Sequence, residues 1–146
     1  MKVLLLHGLH SSPGGSKAEV IKSAGHELIN PALPADSWID SLRIAQEAVD
    51  VHRPDVVVGS SRGGALAVNI NVGCAKRVLI APAWKRFGNV TEVPSETIIL
   101  HSKHDDVVFF EESVELSNSS GAKLIEVGND HRMNSDKVLA TIVESL

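Results

Sequence analysis

The chain of 146 residues has no tyrosine, two tryptophans, three phenylalanines and a single cysteine. So few aromatic rings argue against an extended aromatic cleft. Cys74 has no partner for an internal disulfide, which fits a reducing compartment, and it reads as a small buried apolar residue. No block of like charge occurs, and the net charge is only −4. Nothing in that distribution suggests a nucleic-acid or membrane-surface partner. The N-terminal apolar run Val3–Leu6 is too short for a signal-peptide core or a membrane span, so the expected location is the cytoplasm. Repeats and low-complexity tracts are absent. So are G-x-G-x-x-G and the P-loop lysine pattern, which weakens a nucleotide-binding flavodoxin-like reading. No two histidines share helical ligand spacing beside a carboxylate, so neither metal nor cofactor is expected.

What is present is a globular composition, 43% hydrophobic and 22% charged, in a length that suits one domain spanning 1–146. Short apolar runs predict strands at Val3–Leu6, Glu27–Asn30, Val56–Gly59, Arg77–Ala81, Thr97–His101 and Lys123–Val127. Several are rich in Val, Ile and Leu with little polar alternation, as in strands covered on both faces. Helical patterns fall between them: one from a capping box at Ser16–Glu19 to Gly25, then Ser37 to Val51, Arg62 to Val72, Glu111 to Asn118 and Ser135 to Ser145. Strands alternating with helices predict a three-layer αβα sandwich around a mostly parallel six-stranded sheet. Ligands then bind beyond the carboxyl ends of the strands.

Four loops at those ends carry chemistry. Gly59-Ser60-Ser61-Arg62-Gly63 follows the apolar Val56–Val58 and is G-x-S-x-G in a strand-to-helix context. Such an elbow strains the turn and projects Ser61 as a nucleophile, with glycine needed two residues to either side. The loop after Thr97–His101 contains Asp105 and Asp106, either of which could orient an imidazole. Hydrolases with this elbow order the triad Ser, acid, His, and His131 is the only histidine C-terminal to the acidic loop. The loop His7–Pro13 follows the first strand. The backbone N–H groups of Leu9 and Arg62 are the candidate oxyanion donors.

The segments His7-Gly8-Leu9, Gly59–Gly64, His104–Val108 and Asp130-His131 resemble the α/β-hydrolase superfamily, in the right order over essentially the whole chain. The run His7–Pro13 is similar to small bacterial esterases of the YqiA type, and the elbow and small size resemble lidless serine hydrolases of the retinoblastoma-binding type. The resemblance implies Ser61 as nucleophile, His131 as base and Asp105 as acid, three residues before Val108. It also implies a sheet in which the second strand is an edge, followed by the first and then the third to sixth. The chain departs from the family in lacking leading antiparallel strands and any lid insertion, since Pro82–Pro94 is only a loop. Arginine is also less common than a neutral residue after the nucleophile. The Arg62 side chain suits either an anionic substrate or solvent, and solvent is the reading preferred here. His10 is a candidate pocket residue, and Trp84 and Phe87 either line the pocket or pack over a sheet edge. The function implied is hydrolysis of small carboxylic esters through an acyl-enzyme. Thioester or small-amide hydrolysis, and a catalytically silent binding protein, remain as alternatives. The partner expected is a small acyl substrate, and the oligomeric state is left open.

Overall fold

A computed structural model of the chain describes residues 1–146. Its strands are β1 (Lys2–Leu6), β2 (Glu27–Ile29), β3 (Val56–Ser60), β4 (Lys76–Ile80), β5 (Ile98–His101) and β6 (Lys123–Glu126). Its helices are α1 (Gly15–Ser23), α2 (Trp38–His52), α3 (Arg62–Asn69), α4 (Phe110–Ser120) and α5 (Asp136–Ser145). All six strands are parallel, in the order β2-β1-β3-β4-β5-β6. The order reverses between β1 and β3, where Leu6 lies beside Gly59. The loops after these two strands therefore open on a shared crevice.

The period of two along each strand divides the core between the two faces of the sheet. Leu4 and Leu6 of β1, with Val57, Leu79 and Ile99, pack with residues of α2, α3 and α4. Val3 and Leu5, with Val56, Val58 and Val78, pack with residues of α1 and α5. Both faces are thus covered, which is why the strands carry almost no alternation of polar residues. No helix is long and apolar enough to cross a membrane.

Three local expectations need correction. The capping box at Ser16 does not form: α1 starts at Gly15, with Gly14 at the cap and no side-chain capping bond. The Gly14 N–H donates to Asn30 Oδ1 at 2.7 Å, which fixes the entry of the chain before Ser16 is reached. Helix α3 ends at Asn69 rather than Val72, and Ile70 is extended. There Arg77, reaching from β4, donates to the carbonyls of Ala67 and Ile70 and replaces a further turn of helix. Cys74 is exposed rather than buried. It sits in the turn before β4, and solvation there costs a small thiol little.

The tightest packing is between α3 and β1. A Cβ on Gly63 would stand 2.0 Å from the Leu6 carbonyl oxygen, and one on Gly59 would stand 2.3 Å from the Gly63 carbonyl oxygen. Both obstacles are backbone, so neither can step aside as a side chain would. At Gly8 the nearest atoms would be at 3.5 Å, an ordinary contact. Gly63→Ala is therefore expected to lose about 3 kcal/mol or more in urea unfolding, and Gly8→Ala under about 1 kcal/mol. Equal midpoints for the two variants would show that the α3–β1 contact is not close-packed.

Candidate active site

Ser61 occupies the turn between β3 and α3 with φ of 56° and ψ of −115°, a backbone strain that a serine accepts only where its surroundings impose it. Those surroundings are explicit. The Ser61 N–H donates to the Ile80 carbonyl, while its own carbonyl accepts from the amides of Gly64, Ala65 and Ala83. The backbone is fixed from four sides and the hydroxyl is left free to project.

Ser61 Oγ lies 2.9 Å from His131 Nε2, and His131 Nδ1 lies 2.7 Å from Asp105 Oδ2. A carboxylate can only accept, so Nδ1 carries hydrogen and Nε2 accepts from the serine hydroxyl. The three sequence candidates therefore meet in one continuous chain of hydrogen bonds. Asp105 has no exposed side-chain surface, whereas His131 is partly open to solvent. Asp106, the alternative acid, is exposed and joins none of these bonds.

Sequence reasoning missed a second histidine on the same carboxylate. His101, at the end of β5, is fully buried, and its Nε2 lies 2.9 Å from Asp105 Oδ2 and 2.9 Å from the Val108 carbonyl. Both partners are acceptors, so this nitrogen also carries hydrogen. Its Nδ1 is 2.6 Å from Ser113 Oγ on α4. The signal was visible as a histidine closing the apolar run Ile98–Leu100, four residues before the acid. The other oxygen, Oδ1, accepts from the amides of Val107 and Val108. Burial pushes the Asp105 pKa up, but the His131 hydrogen bond, the two amides and the His131 charge together outweigh it. The carboxyl is held below the usual range.

Ser61 and His131 open into a groove of about 520 Å³ bordered by Leu9, Arg62, His10 and Phe87. The Leu9 amide makes no hydrogen bond within the chain. The Arg62 amide belongs to the first residue of α3 and lacks an intrahelical acceptor. Trp84 does not join the groove. It is buried, and its Nε1–H donates to the Glu112 carbonyl, which clasps the β4–β5 loop to α4. The Arg62 side chain also departs from expectation, being only 2% exposed. Its guanidinium carbon lies 5.7 Å from the ring centres of both Trp38 and Phe87, which stack on each other at 5.4 Å. Two aromatic faces and the Pro34 carbonyl, a 3.0 Å acceptor, hold it out of solvent. Lys17 also lines the groove, with its pKa lowered to about 8. Burial is the main cause; the Asp130 charge raises it and the Arg132 charge lowers it.

Fold and site geometry together define the α/β-hydrolase fold, and solved structures agree. The product of the ydeN gene of B. subtilis matches with a TM-score of 0.76 at 16% identity, over 99% of this chain and 97% of that one. The esterase domain of a Rhodothermus marinus protein matches with a TM-score of 0.71 at 16% identity, over 98% and 82%. Alpha/beta hydrolase domain-containing protein 10 from mouse matches with a TM-score of 0.73 at 14% identity, over 99% and 87%. The chain belongs to the uncharacterised protein family UPF0227, whose model matches residues 2–93. That stretch includes His7, Leu9 and Ser61 but ends before Asp105 and His131. Comparison with curated proteins gives no match.

A carboxyl with a depressed pKa stabilises the folded state above its unfolded pKa, and that contribution disappears as pH falls through the folded value. Asp105→Asn should thus destabilise the protein most at about pH 6, with the gap to wild type shrinking towards about pH 2. Urea unfolding across that range checks this. A gap independent of pH would show that the charge of Asp105 does not contribute.

Proposed function

We propose that this protein is a serine hydrolase that cleaves small carboxylic esters by acyl transfer to water. The observation that carries this reading is the unbroken line from Ser61 Oγ through His131 to Asp105, at 2.9 and 2.7 Å. Ser61 Oγ bonds to the ester carbonyl carbon as its proton passes to His131 Nε2. The Leu9 and Arg62 amides receive the oxyanion, each worth about 3–4 kcal/mol in the transition state. His131 then protonates the departing alkoxide, leaving an acyl-enzyme. Water attacks that ester, gives its proton to His131, and the proton returns to Ser61 as the acid departs. Asp105 keeps Nδ1 protonated throughout, and His101 holds Asp105. His10 and Phe87 would contact the substrate. The exposed, unpaired Cys74 suits a reducing, cytoplasmic setting.

A fluorophosphonate should label wild-type protein but not Ser61→Ala, whose kcat should fall roughly 10⁴-fold with the fold retained. Asp105→Asn should lose up to about 10⁴-fold in kcat through the wrong imidazole tautomer, and Asp106→Asn far less. Persistent labelling of Ser61→Ala, or the reverse ranking of the two aspartates, would refute the assignment.

Acyl length provides a separate check. Only five of the twenty residues lining the groove are hydrophobic, and the β4–β5 connection contains no helix that could close over it. Few methylenes can be buried there, each worth about 0.8 kcal/mol. kcat/KM for 4-nitrophenyl esters should thus peak at short chains, with acetate and butyrate above palmitate. A steady rise beyond about eight carbons would require a deep apolar pocket instead.

A further inference from the structure

The groove is electrostatically one-sided. Lys17, Arg62, Arg86 and Arg132 line it, and no aspartate or glutamate does. This happens in a chain where acidic residues outnumber Lys and Arg by 18 to 14. Of the ten other cations, four are ion-paired: Lys22 with Glu19, Arg43 with Asp40 and Glu47, Lys85 with Glu115, and Lys103 with Glu126. None of the four groove cations has a carboxylate oxygen within ion-pair distance.

Their recorded hydrogen bonds go to neutral acceptors. Lys17 Nζ donates to the Arg132 carbonyl at 2.7 Å and to Asn134 Oδ1 at 2.8 Å. Arg86 donates to the Val107 carbonyl. Arg62 spends one nitrogen on Pro34, and its Nε and Nη1, both buried, meet no acceptor at all. Such bonds hold the side chains in place without a carboxylate in contact; only the Asp130 charge acts on Lys17, from beyond ion-pair distance. Burying an arginine in this state is costly unless a counter-charge arrives. No carboxylate lies within ion-pair distance of Arg62. Asp130 accepts the Met133 amide, and Asp105 is occupied by two histidines and two amides. The N-terminus of α1 faces the same groove through Gly14, Gly15 and Ser16, with no acidic residue in its first turn. Its dipole adds to the positive field.

We propose that the substrate of this site carries an anionic group, a carboxylate or a phosphate, seated on Arg86, Arg132 and Lys17 beside the buried charge of Arg62. The inference rests on the ester-hydrolase reading and names its substrate class. The anion fixes the ester in the groove through charge-assisted hydrogen bonds, which orient as well as attract.

Matched ester pairs test this: 4-nitrophenyl hemiglutarate against 4-nitrophenyl valerate for a carboxylate on the acyl side, and 2-acetoxyethyl phosphate against butyl acetate for a phosphate on the alcohol side. At low salt the anionic member of at least one pair should have kcat/KM at least about tenfold higher. Added salt should reduce that ratio, since the outer arginines are exposed. The double variant Arg86→Gln/Arg132→Gln should bring the ratio towards one. A ratio near one in both pairs, insensitive to the variant, overturns the anion site and leaves the esterase reading standing. Calorimetric binding of glutarate and of inorganic phosphate to Ser61→Ala covers the case in which no ester is cut. Binding that the double variant abolishes keeps the anion site while the esterase reading falls, and absence of binding overturns the anion site too.

Discussion

The contact on which the site depends is the approach of two backbones at the point where the sheet order reverses. Gly63 lies so close to the Leu6 carbonyl that no side chain fits between them. That approach sets α3 against the end of β1 and forces the tight, positive-φ turn at Ser61. It also brings the loop after β1 alongside the elbow, with Gly8 against Ser61. Ser61 and both candidate oxyanion amides are consequently positioned by main chain, whose geometry fluctuates less than that of side chains.

The second fixed point is the Asp105 carboxylate. Four donors surround it: two amides from its own loop, His131 from the far side and His101 from the strand beneath. A buried carboxylate would ordinarily favour its neutral form, yet these donors keep it charged. His101 is itself tied to α4 through Ser113. The orientation of His131 is therefore linked to the core of the β5–α4 unit, through a residue that never reaches the groove.

Arg62 joins the Ser61 turn to the loops after β2 and β4. Its amide sits at the start of α3, while its guanidinium is clasped by Trp38 of α2, Phe87 of the β4–β5 loop and the Pro34 carbonyl. The loop after β2 is held again by His7, whose Nε2 accepts the Leu33 amide. The loops after β2 and β4 are thus both tied to residues beside Ser61 or on the neighbouring strand β1.

The elements were legible from the sequence because they follow from periodicity and from local turn chemistry, whereas the sheet order was implied only by the resemblance to the α/β-hydrolase superfamily. Buried parallel strands have to be continuously apolar, and only an elbow requires glycine on both sides of a serine. The order of Ser61, Asp105 and His131 along the chain was legible for the same reason, since each closes or follows a recognisable strand. Side-chain surroundings were not. Whether Arg62 faced water or two aromatic rings depended on Trp38 and Phe87, which stand 24 and 25 residues away on either side. Trp84 went to α4, Cys74 to solvent and His101 to Asp105 because of which neighbours the packed layers supplied. The chain by itself determined which residues could act and on which edge of the sheet they lie. Only the tertiary structure decided their partners and the charge around them, because burial and long-range contact have no local signature.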